Sequence, residues 1–461
     1  MRLAIIGAGP GGYVAAIKAA QLGAQVTVIE DTEVGGTCLN RGCIPTKALL
    51  ASTELIHKVR NSEEYGIEIS GQIIPNLSKI MERKNKIVST QVRGIRSLFK
   101  SWGINLIEGR GMLLSPGRIE VDKKDSSKEI VEADRIIIAT GSRPAQLPLF
   151  PFDGEHIFSS DEALDIKSIP KTLIIIGGGV IGCEFAFIFG ELGTSVTILE
   201  MMPRAISTEE PEISEILERE LKKKKIKLMT GIKVTGVKGQ HDGIHVYLDE
   251  NKELVAEKLL VSVGRTLNSA GIGLEAVGIK KGPKGEILVN EKMETNIEGI
   301  YAIGDVTGGL LFAHVASKEG KIATINLTGG NERMDSRVVP YAIFTSPEIA
   351  SVGLRENKAV EKGIKVRTGY FQFRSLGKAH VMGEITGFVK IVSDETNDRI
   401  LGVHIIGPHA SDLIHEAALA IQKGLKTRDI AETIHSHPTL SESLMEAAED
   451  AHGEAIHVLK K

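Results

Sequence analysis

Residues 7–30 and 177–200 repeat one another without a gap at a constant spacing of 170. Gly7, Gly9, Gly12, Ala16, Leu22, Gly23, Val26, Thr27 and Glu30 recur identically as Gly177, Gly179, Gly182, Ala186, Leu192, Gly193, Val196, Thr197 and Glu200. Each copy reads as an apolar strand, a G-x-G-x-x-G turn, a helix, and a second strand ending on an acid. The first copy predicts strands over 3–6 and 26–29 and a helix to about Leu22. The second predicts strands over 173–176 and 196–199. Glycines in such a turn let the backbone approach a pyrophosphate, and the helix N-terminus aims N–H groups at it. An acid at the end of the second strand accepts a hydrogen bond from an adenosine ribose. Two such units in one chain imply two dinucleotide sites on parallel α/β sheets. At Glu200 a carboxylate accepts from a ribose 2′-hydroxyl and repels a 2′-phosphate. Arg204 nearby reads as a surface arginine.

Two of the three cysteines, Cys38 and Cys43, lie just beyond the first copy. On a regular helix their Cα atoms would stand about 8–9 Å apart, and a disulfide tolerates less than about 7 Å. If the pair closes, the backbone between them is not ideal helix, and Gly42 and Pro45 offer places to deviate. A strained bridge is easily reduced. The residues alone leave a redox pair and two plain thiols both open.

The stretch Gly35-Gly36-Thr37-Cys38-Leu39-Asn40-Arg41-Gly42-Cys43-Ile44-Pro45-Thr46-Lys47 resembles the redox-active segment of the class I pyridine nucleotide-disulfide oxidoreductases. The form Cys-Leu-Asn-x-Gly-Cys-Ile-Pro-x-Lys is most similar to members that oxidise dihydrolipoamide. The resemblance covers essentially the whole chain. It implies an α/β fold with two Rossmann-like dinucleotide-binding domains and a C-terminal α+β dimerisation domain. The expected division is 1–146 and 266–338 for FAD, 147–265 for NAD, and 339–461 for dimerisation. Cys38 and Cys43 would form the redox disulfide, Cys38 exchanging with substrate and Cys43 lying against the flavin. Thr37 and Lys47 would border the flavin, with Lys47 paired to Glu184. Gly111 matches a position near the adenine, and Ala139-Thr140-Gly141 a strand end against the flavin. Val234 and Gly264 match positions beside the nicotinamide nucleotide. Asp305 would accept from the flavin's ribityl chain, and Leu311, Ala313 and His314 would open a helix beside the flavin ring. His437, in His-Pro-Thr-Leu-x-Glu, would be the base, oriented by Glu442 and supplied across a homodimer.

The remaining segments read from pattern. Residues 48–107 alternate at helical spacing, and 123–128 form a polar hairpin turn. A strand over 135–138 leads into Ala139. Lys222–Lys225 read as a solvated helix end, His435 as a surface histidine, and Cys183 as a small residue in a helix's first turn. At 461 residues the chain exceeds one core and suggests about three domains. A net charge of −3 argues against a nucleic-acid partner. Three cysteines rule out a disulfide framework and suggest a reducing, cytoplasmic setting. Met1-Arg2 runs straight into the first strand, so no leader is expected. No apolar run reaches the roughly 20 residues that span a bilayer.

Rival members leave different marks. A glutathione-reductase-like enzyme would need NADP selectivity, which Glu200 opposes. A mercuric-reductase-like one would carry further C-terminal cysteines, and none follows Cys183. A non-catalytic FAD- or NAD-binding subunit would not need Cys38, Cys43, His437 and Glu442 together. The partner implied is a lipoyl domain of a 2-oxo-acid dehydrogenase complex or of the glycine cleavage system.

Overall fold

Four short apolar runs lie side by side and parallel: Ile300–Ala302, Arg135–Ile138, Arg2–Ile6 and Gln25–Glu30. The computed structural model describes residues 1–249 and 252–459. Leu3, Ala4, Ile5 and Ile6 are all buried, as expected of parallel strands covered on both faces. Asn105–Ser115 extends the sheet with a change of partner. Its first half runs parallel to Gln25–Glu30, and its second half pairs antiparallel with Arg118–Lys123, followed by Lys128–Glu132. Helices Pro10–Gln21 and Ala313–Leu327 cover one face and touch closely at Gly320, where a β-carbon would stand 2.6 Å from the Gly11 carbonyl oxygen.

The strand Ile300–Ala302 arrives from far along the chain. Between it and Arg135–Ile138 lies a second sheet, wholly parallel, in the order Lys227–Met229, Ser195–Leu199, Thr172–Ile176, Lys258–Val261, Ile157–Phe158. The chain leaves and re-enters the first unit through an antiparallel ribbon, Ser142–Pro144 against Arg265–Leu267. A three-stranded antiparallel sheet, Val234–Gln240, Gly243–Leu248 and Glu253–Ala256, flanks the second unit. The strands and helices expected for both repeats are present, with ends within one residue of those read from the sequence.

Residues 341–407 supply a five-stranded antiparallel sheet, ordered Tyr341–Ile343, Glu348–Gly353, Ile400–Gly407, Phe388–Asp394, Val366–Gln372. Helices Ala410–Lys423 and Glu442–Asp450 close over its apolar face.

Helix Cys43–Arg60 is where the units meet. One apolar cluster joins its Leu49 and Leu50 to Phe185, Phe187 and Phe189 of helix Val180–Leu192, and to Ile349, Phe388 and Ile406 of the C-terminal sheet. Burying side chains of this size contributes about 1.5–3 kcal/mol each. The helix carrying Cys43 and Lys47 is therefore held rigidly against both neighbours. Among the described residues no helix is long and apolar enough to cross a membrane.

Candidate active site

The two glycine turns are built alike. Gly7 and Gly177 share φ +105°, and a β-carbon at Gly12 or at Gly182 would stand 1.9 Å from the carbonyl oxygen of Gly7 or of Gly177. Each third glycine thus lets its helix sit directly on its strand. The acids match too. Ala8 N–H donates to Glu30 at 2.6 Å, and Gly178 N–H donates to Glu200 at 2.5 Å. Thr32 N–H and Met202 N–H donate to the second oxygens, at 2.8 and 2.7 Å. Both carboxylates are thus locked beside their turns; Glu200 keeps a lone pair on each oxygen for a further donor, and Glu30, which also accepts from Thr32 Oγ1 and Glu33 N–H, keeps one on Oε2.

The cysteine stretch rests on the first turn. Gly35 and Gly36 both take positive φ, and a β-carbon at Gly36 would meet the Gly9 Cα at 2.6 Å. Only glycine permits that approach. The short helix Gly36–Arg41, with half-buried Thr37 and Cys38, ends at Gly42, and Cys43 starts the long helix Cys43–Arg60. Gly42 alone makes the break, with a β-carbon there 3.2 Å from the Cys38 Cα. Pro45 makes no kink: it sits in the first turn of the long helix, where no intrahelical donor is needed.

Cys38, Cys43 and Cys183 are free thiols. The Cys38 thiol hydrogen-bonds the Cys43 sulfur, and this interaction, followed by burial, pushes Cys38 up. The same bond, reinforced by the Lys47 charge against the opposing effect of burial, draws Cys43 down to about 7. The pair therefore holds its first negative charge on Cys43. Cys183 is buried, donates to the Gly178 carbonyl at 3.4 Å, and is pushed up by burial.

Lys47 joins this helix to the second repeat. Its Nζ lies 2.9 Å from both oxygens of Glu184, which is 3 % exposed and also accepts from Phe344 N–H at 3.0 Å. The Nζ lies 4.4 Å from the centre of the Phe344 ring. The expected Lys47–Glu184 pair is thus present, and it touches all three units.

The other residues singled out from sequence divide into two groups. Ala139-Thr140-Gly141 ends its strand beside the first turn, with the Ala139 carbonyl oxygen 2.3 Å from where a Gly7 β-carbon would be. Thr140 and Asn268 exchange hydrogen bonds at 2.8 and 3.0 Å. Asp305 accepts from Ser142 Oγ at 2.5 Å, with Arg265 at 3.8 Å, which leaves its other oxygen free of that pair. Helix Ala313–Leu327 opens with His314 stacked on Phe312 at 5.3 Å, while Leu311 is exposed. Burial lowers the His314 pKa. Gly111 and Val234 lie instead in apolar cores: a β-carbon at Gly111 would touch Ile29, Ile119 and Ile6, and Val234 packs with Ile174 and Leu199.

His437 and Glu442 form a second cluster on the C-terminal unit. His437 Nδ1 is 2.8 Å from Glu442, whose other oxygen accepts from Thr439 N–H at 2.8 Å. With the proton on Nδ1, Nε2 is left as the acceptor. The ring is 77 % exposed and follows the unit's surface. Burial would raise the Glu442 pKa, but Thr439 N–H and His437 outweigh it and hold the acid low.

Several quieter expectations are corrected. His435 is no surface residue; its side chain is 5 % exposed and bonded to the Thr433 carbonyl and Glu416. Arg204 is half-buried, its guanidinium turned to the Ser207 and Glu209 carbonyls. Of the lysine run, Lys224 is not solvated, because it pairs with Glu191 at 2.6 Å. Glu191 and Glu416 lie on other elements, beyond the reach of local pattern, whereas Arg204 is satisfied within its own loop.

Paired dinucleotide turns with a thiol couple between them define a class of enzyme that moves electrons between sulfur and a pyridine nucleotide. Residues 1–320 match the pyridine nucleotide-disulphide oxidoreductase family, and residues 339–448 match its dimerisation domain. The chain belongs to that family. It is similar to the dihydrolipoyl dehydrogenases of Bacillus subtilis (45 % identity, 98 % of each chain) and Thermus scotoductus (42 %, 100 % of this chain and 99 % of that one). Among solved structures it resembles LpdA from Mycobacterium tuberculosis, with TM-score 0.92 and 32 % identity over 97 % of this chain and 99 % of that one. The chain is thus a flavoprotein disulfide oxidoreductase, its cofactors are FAD and NAD, and the dimerisation-domain match supports a homodimer.

The residues fit such cofactors. Gly141 and Gly264, both at positive φ, and Gly179 at a helix N-terminus face open space, with no atom within 4 Å of a β-carbon position. Bare backbone there offers N–H groups to a phosphate at contact distance. Cys43 starts the helix that follows the segment seated on the first glycine turn.

Proposed function

We propose that this chain oxidises a dihydrolipoyl dithiol to the cyclic disulfide through Cys38 and Cys43, with NAD⁺ as final acceptor. The carrying observation is the thiol couple itself. It is lodged on the first glycine turn and tied by Lys47–Glu184 to the second. FAD would lie on residues 1–146 and 266–338, held by Gly7, Gly9, Gly12, Glu30, Thr37, Lys47, Gly111, Ala139, Thr140, Gly141, Asp305, Leu311, Ala313 and His314. NAD would lie on 147–265, held by Gly177, Gly179, Gly182, Glu184, Glu200, Val234 and Gly264. Residues 339–461 would form the dimer. Gly111 and Val234 would serve through their backbone, since their side-chain surroundings are apolar.

The chemistry follows from the residues. His437 of the partner subunit accepts a proton from one substrate thiol at Nε2, and Glu442 fixes the ring by holding Nδ1. The resulting thiolate attacks Cys38 in the oxidised pair; the new S–S bond forms as the Cys38–Cys43 bond breaks, and Cys43 leaves as thiolate. The Lys47 charge stabilises it as the leaving thiolate. The second substrate thiol then attacks the substrate sulfur of the mixed disulfide, its proton passing to the departing Cys38 sulfur, which is released as a thiol. The pair has gained two electrons and the substrate has lost two. FAD, when bound, carries that electron pair onward to NAD⁺.

The relatives' shared name supports the dithiol. The partner would be a lipoyl domain of a 2-oxo-acid dehydrogenase complex or of the glycine cleavage system, in the cytoplasm. The test is turnover of purified protein with NAD⁺ against NADP⁺ and dihydrolipoamide against glutathione. The proposal expects rapid turnover only for dihydrolipoamide with NAD⁺; preference for glutathione or NADP⁺ overturns it.

A further inference from the structure

Where the second unit meets the C-terminal sheet, several ionisable groups are buried together, none used by the chemistry above. Glu209 and Glu210 precede helix Pro211–Lys223 and are 0 % and 2 % exposed. Facing them, Ser351, His404 and Lys390 form one row across three adjacent strands. Lys390 Nζ reaches Glu210, Glu212 and Glu356 at 3.1, 2.8 and 2.7 Å, which places a cation among those three acids. Arg355 and Arg204 donate to the Glu209 carbonyl at 3.3 and 3.4 Å. Lys390 is shared among three acids, while Arg355 and Arg204 bond the Glu209 main-chain carbonyl, so among the described residues no cation is hydrogen-bonded to the Glu209 carboxyl itself.

The hydrogen bonds set the proton positions. His404 Nε2 lies 3.1 Å from the Leu354 carbonyl oxygen, which can only accept, so Nε2 carries hydrogen. In the neutral ring Nδ1 is then the acceptor and takes the Ser351 hydroxyl proton, at 3.1 Å. Ser351 Oγ is 2.5 Å from Glu209 Oε2. With its only proton given to a neutral His404, the hydroxyl would meet Glu209 Oε2 lone pair to lone pair, a clash that a proton on Glu209 relieves. The other Glu209 oxygen is buried with no partner, a place where full charge would be costly.

We propose that Glu209, Ser351 and His404 form a one-proton clamp, Glu209 as carboxylic acid, that fastens the loop after Glu200 to the C-terminal sheet. The loop is the right one to matter. Ile206 N–H donates to the Gly178 carbonyl at 2.9 Å, so the clamped segment also grips the second glycine turn. Burial pushes Glu209 up to about 7, against the Ser351 hydroxyl, which would turn to donate to the ionised form, and the Arg355 charge, while Glu210 adds to the rise. Burial lowers His404, with Glu210 opposing and Lys390 and Arg355 assisting, which favours the neutral ring. Raising the pH removes the Glu209 proton, leaves a buried anion with one oxygen lacking a hydrogen-bond donor, and loosens the loop.

Glu209→Gln keeps a donor toward Ser351 but cannot ionise. The holoenzyme would be followed by infrared difference spectroscopy at neutral pH, and by KM for NAD⁺ from about pH 6 to about pH 9. The clamp predicts a protonated-carboxyl band in wild type that is absent from the variant. It predicts a KM that rises several-fold with pH in wild type and stays flat in Glu209→Gln. A missing band in wild type, or an identical rise in both proteins, overturns it. The kinetic half rests on NAD lying at the second turn; the infrared band does not, so the two ideas can fail separately. Should Glu209→Gln not fold, nitrogen NMR of wild-type His404 decides: a neutral ring with hydrogen on Nε2 supports the clamp, and a charged ring or the other tautomer refutes it.

Discussion

Gly182→Ala separates the two nucleotide sites. The added methyl would stand 1.9 Å from the Gly177 carbonyl oxygen and 2.9 Å from Ser262 Oγ. The nearer obstacle is backbone, so the turn must open by more than about 1 Å to reach ordinary contact. Overpacking of this kind costs about 1–3 kcal/mol, and a main-chain obstacle puts it at the upper end. The strain falls on the N–H groups at the start of helix Val180–Leu192, those proposed to face the NAD pyrophosphate. About 3 kcal/mol taken from nucleotide binding corresponds to about 150-fold in affinity. The assay is flavin absorbance of the purified variant together with KM for NAD⁺. The expected protein is yellow, with KM raised about a hundredfold. Gly12→Ala, with the same 1.9 Å clash in the first repeat, should instead lose flavin. A Gly182→Ala enzyme whose KM stays within about threefold of wild type, or which comes out colourless yet still binds NAD⁺, refutes the reasoning.

Other substitutions probe the remaining parts. Glu442→Gln removes the charge that holds His437; a charge-assisted hydrogen bond contributes about 1.5–3 kcal/mol, and the ring's exposure selects the lower figure, so kcat should fall about tenfold with FAD content unchanged. Undiminished kcat would take Glu442 out of the mechanism. Glu184→Gln breaks a pair whose acid is buried but whose Lys47 keeps contact with water. Unfolding by denaturant should show about 1–2 kcal/mol of lost stability, below the full buried-pair penalty, and no loss would contradict the reading. Cys43 in the reduced pair is depressed from its ordinary 9.0 to about 7. Its stabilising share is present above the ordinary value and is lost as pH falls through about 7. Alkylation of the reduced enzyme at Cys43 should therefore reach half its limiting rate near pH 7; a midpoint at the ordinary value would contradict the Cys38 hydrogen bond and the Lys47 charge as causes.

Both nucleotide units were legible because their requirements are local. A turn that must lie on its own helix demands glycine at Gly12 and Gly182, and an acid within thirty residues of each strand's start is bound back to that turn. The Cys38–Cys43 segment was legible for the same reason, since Gly36 and Gly42 are set by contacts only a few residues away or with the adjacent turn. What depends on distant partners was not. Lys224 and His435 look like solvent-facing residues until Glu191 and Glu416 are brought to them. The Glu209, Ser351 and His404 chain draws on three segments that no periodicity connects. Gly111 carried no sign of its apolar surroundings, because strand register is a property of the sheet.

The central claim is that Cys38 and Cys43 cycle between disulfide and dithiol while Cys183 stays apart. Thiol counting on denatured protein tests it, before and after anaerobic reduction by NADH. With three cysteines in the chain, the account predicts one titratable thiol in the oxidised enzyme and three in the reduced one. Three thiols in both samples would contradict it.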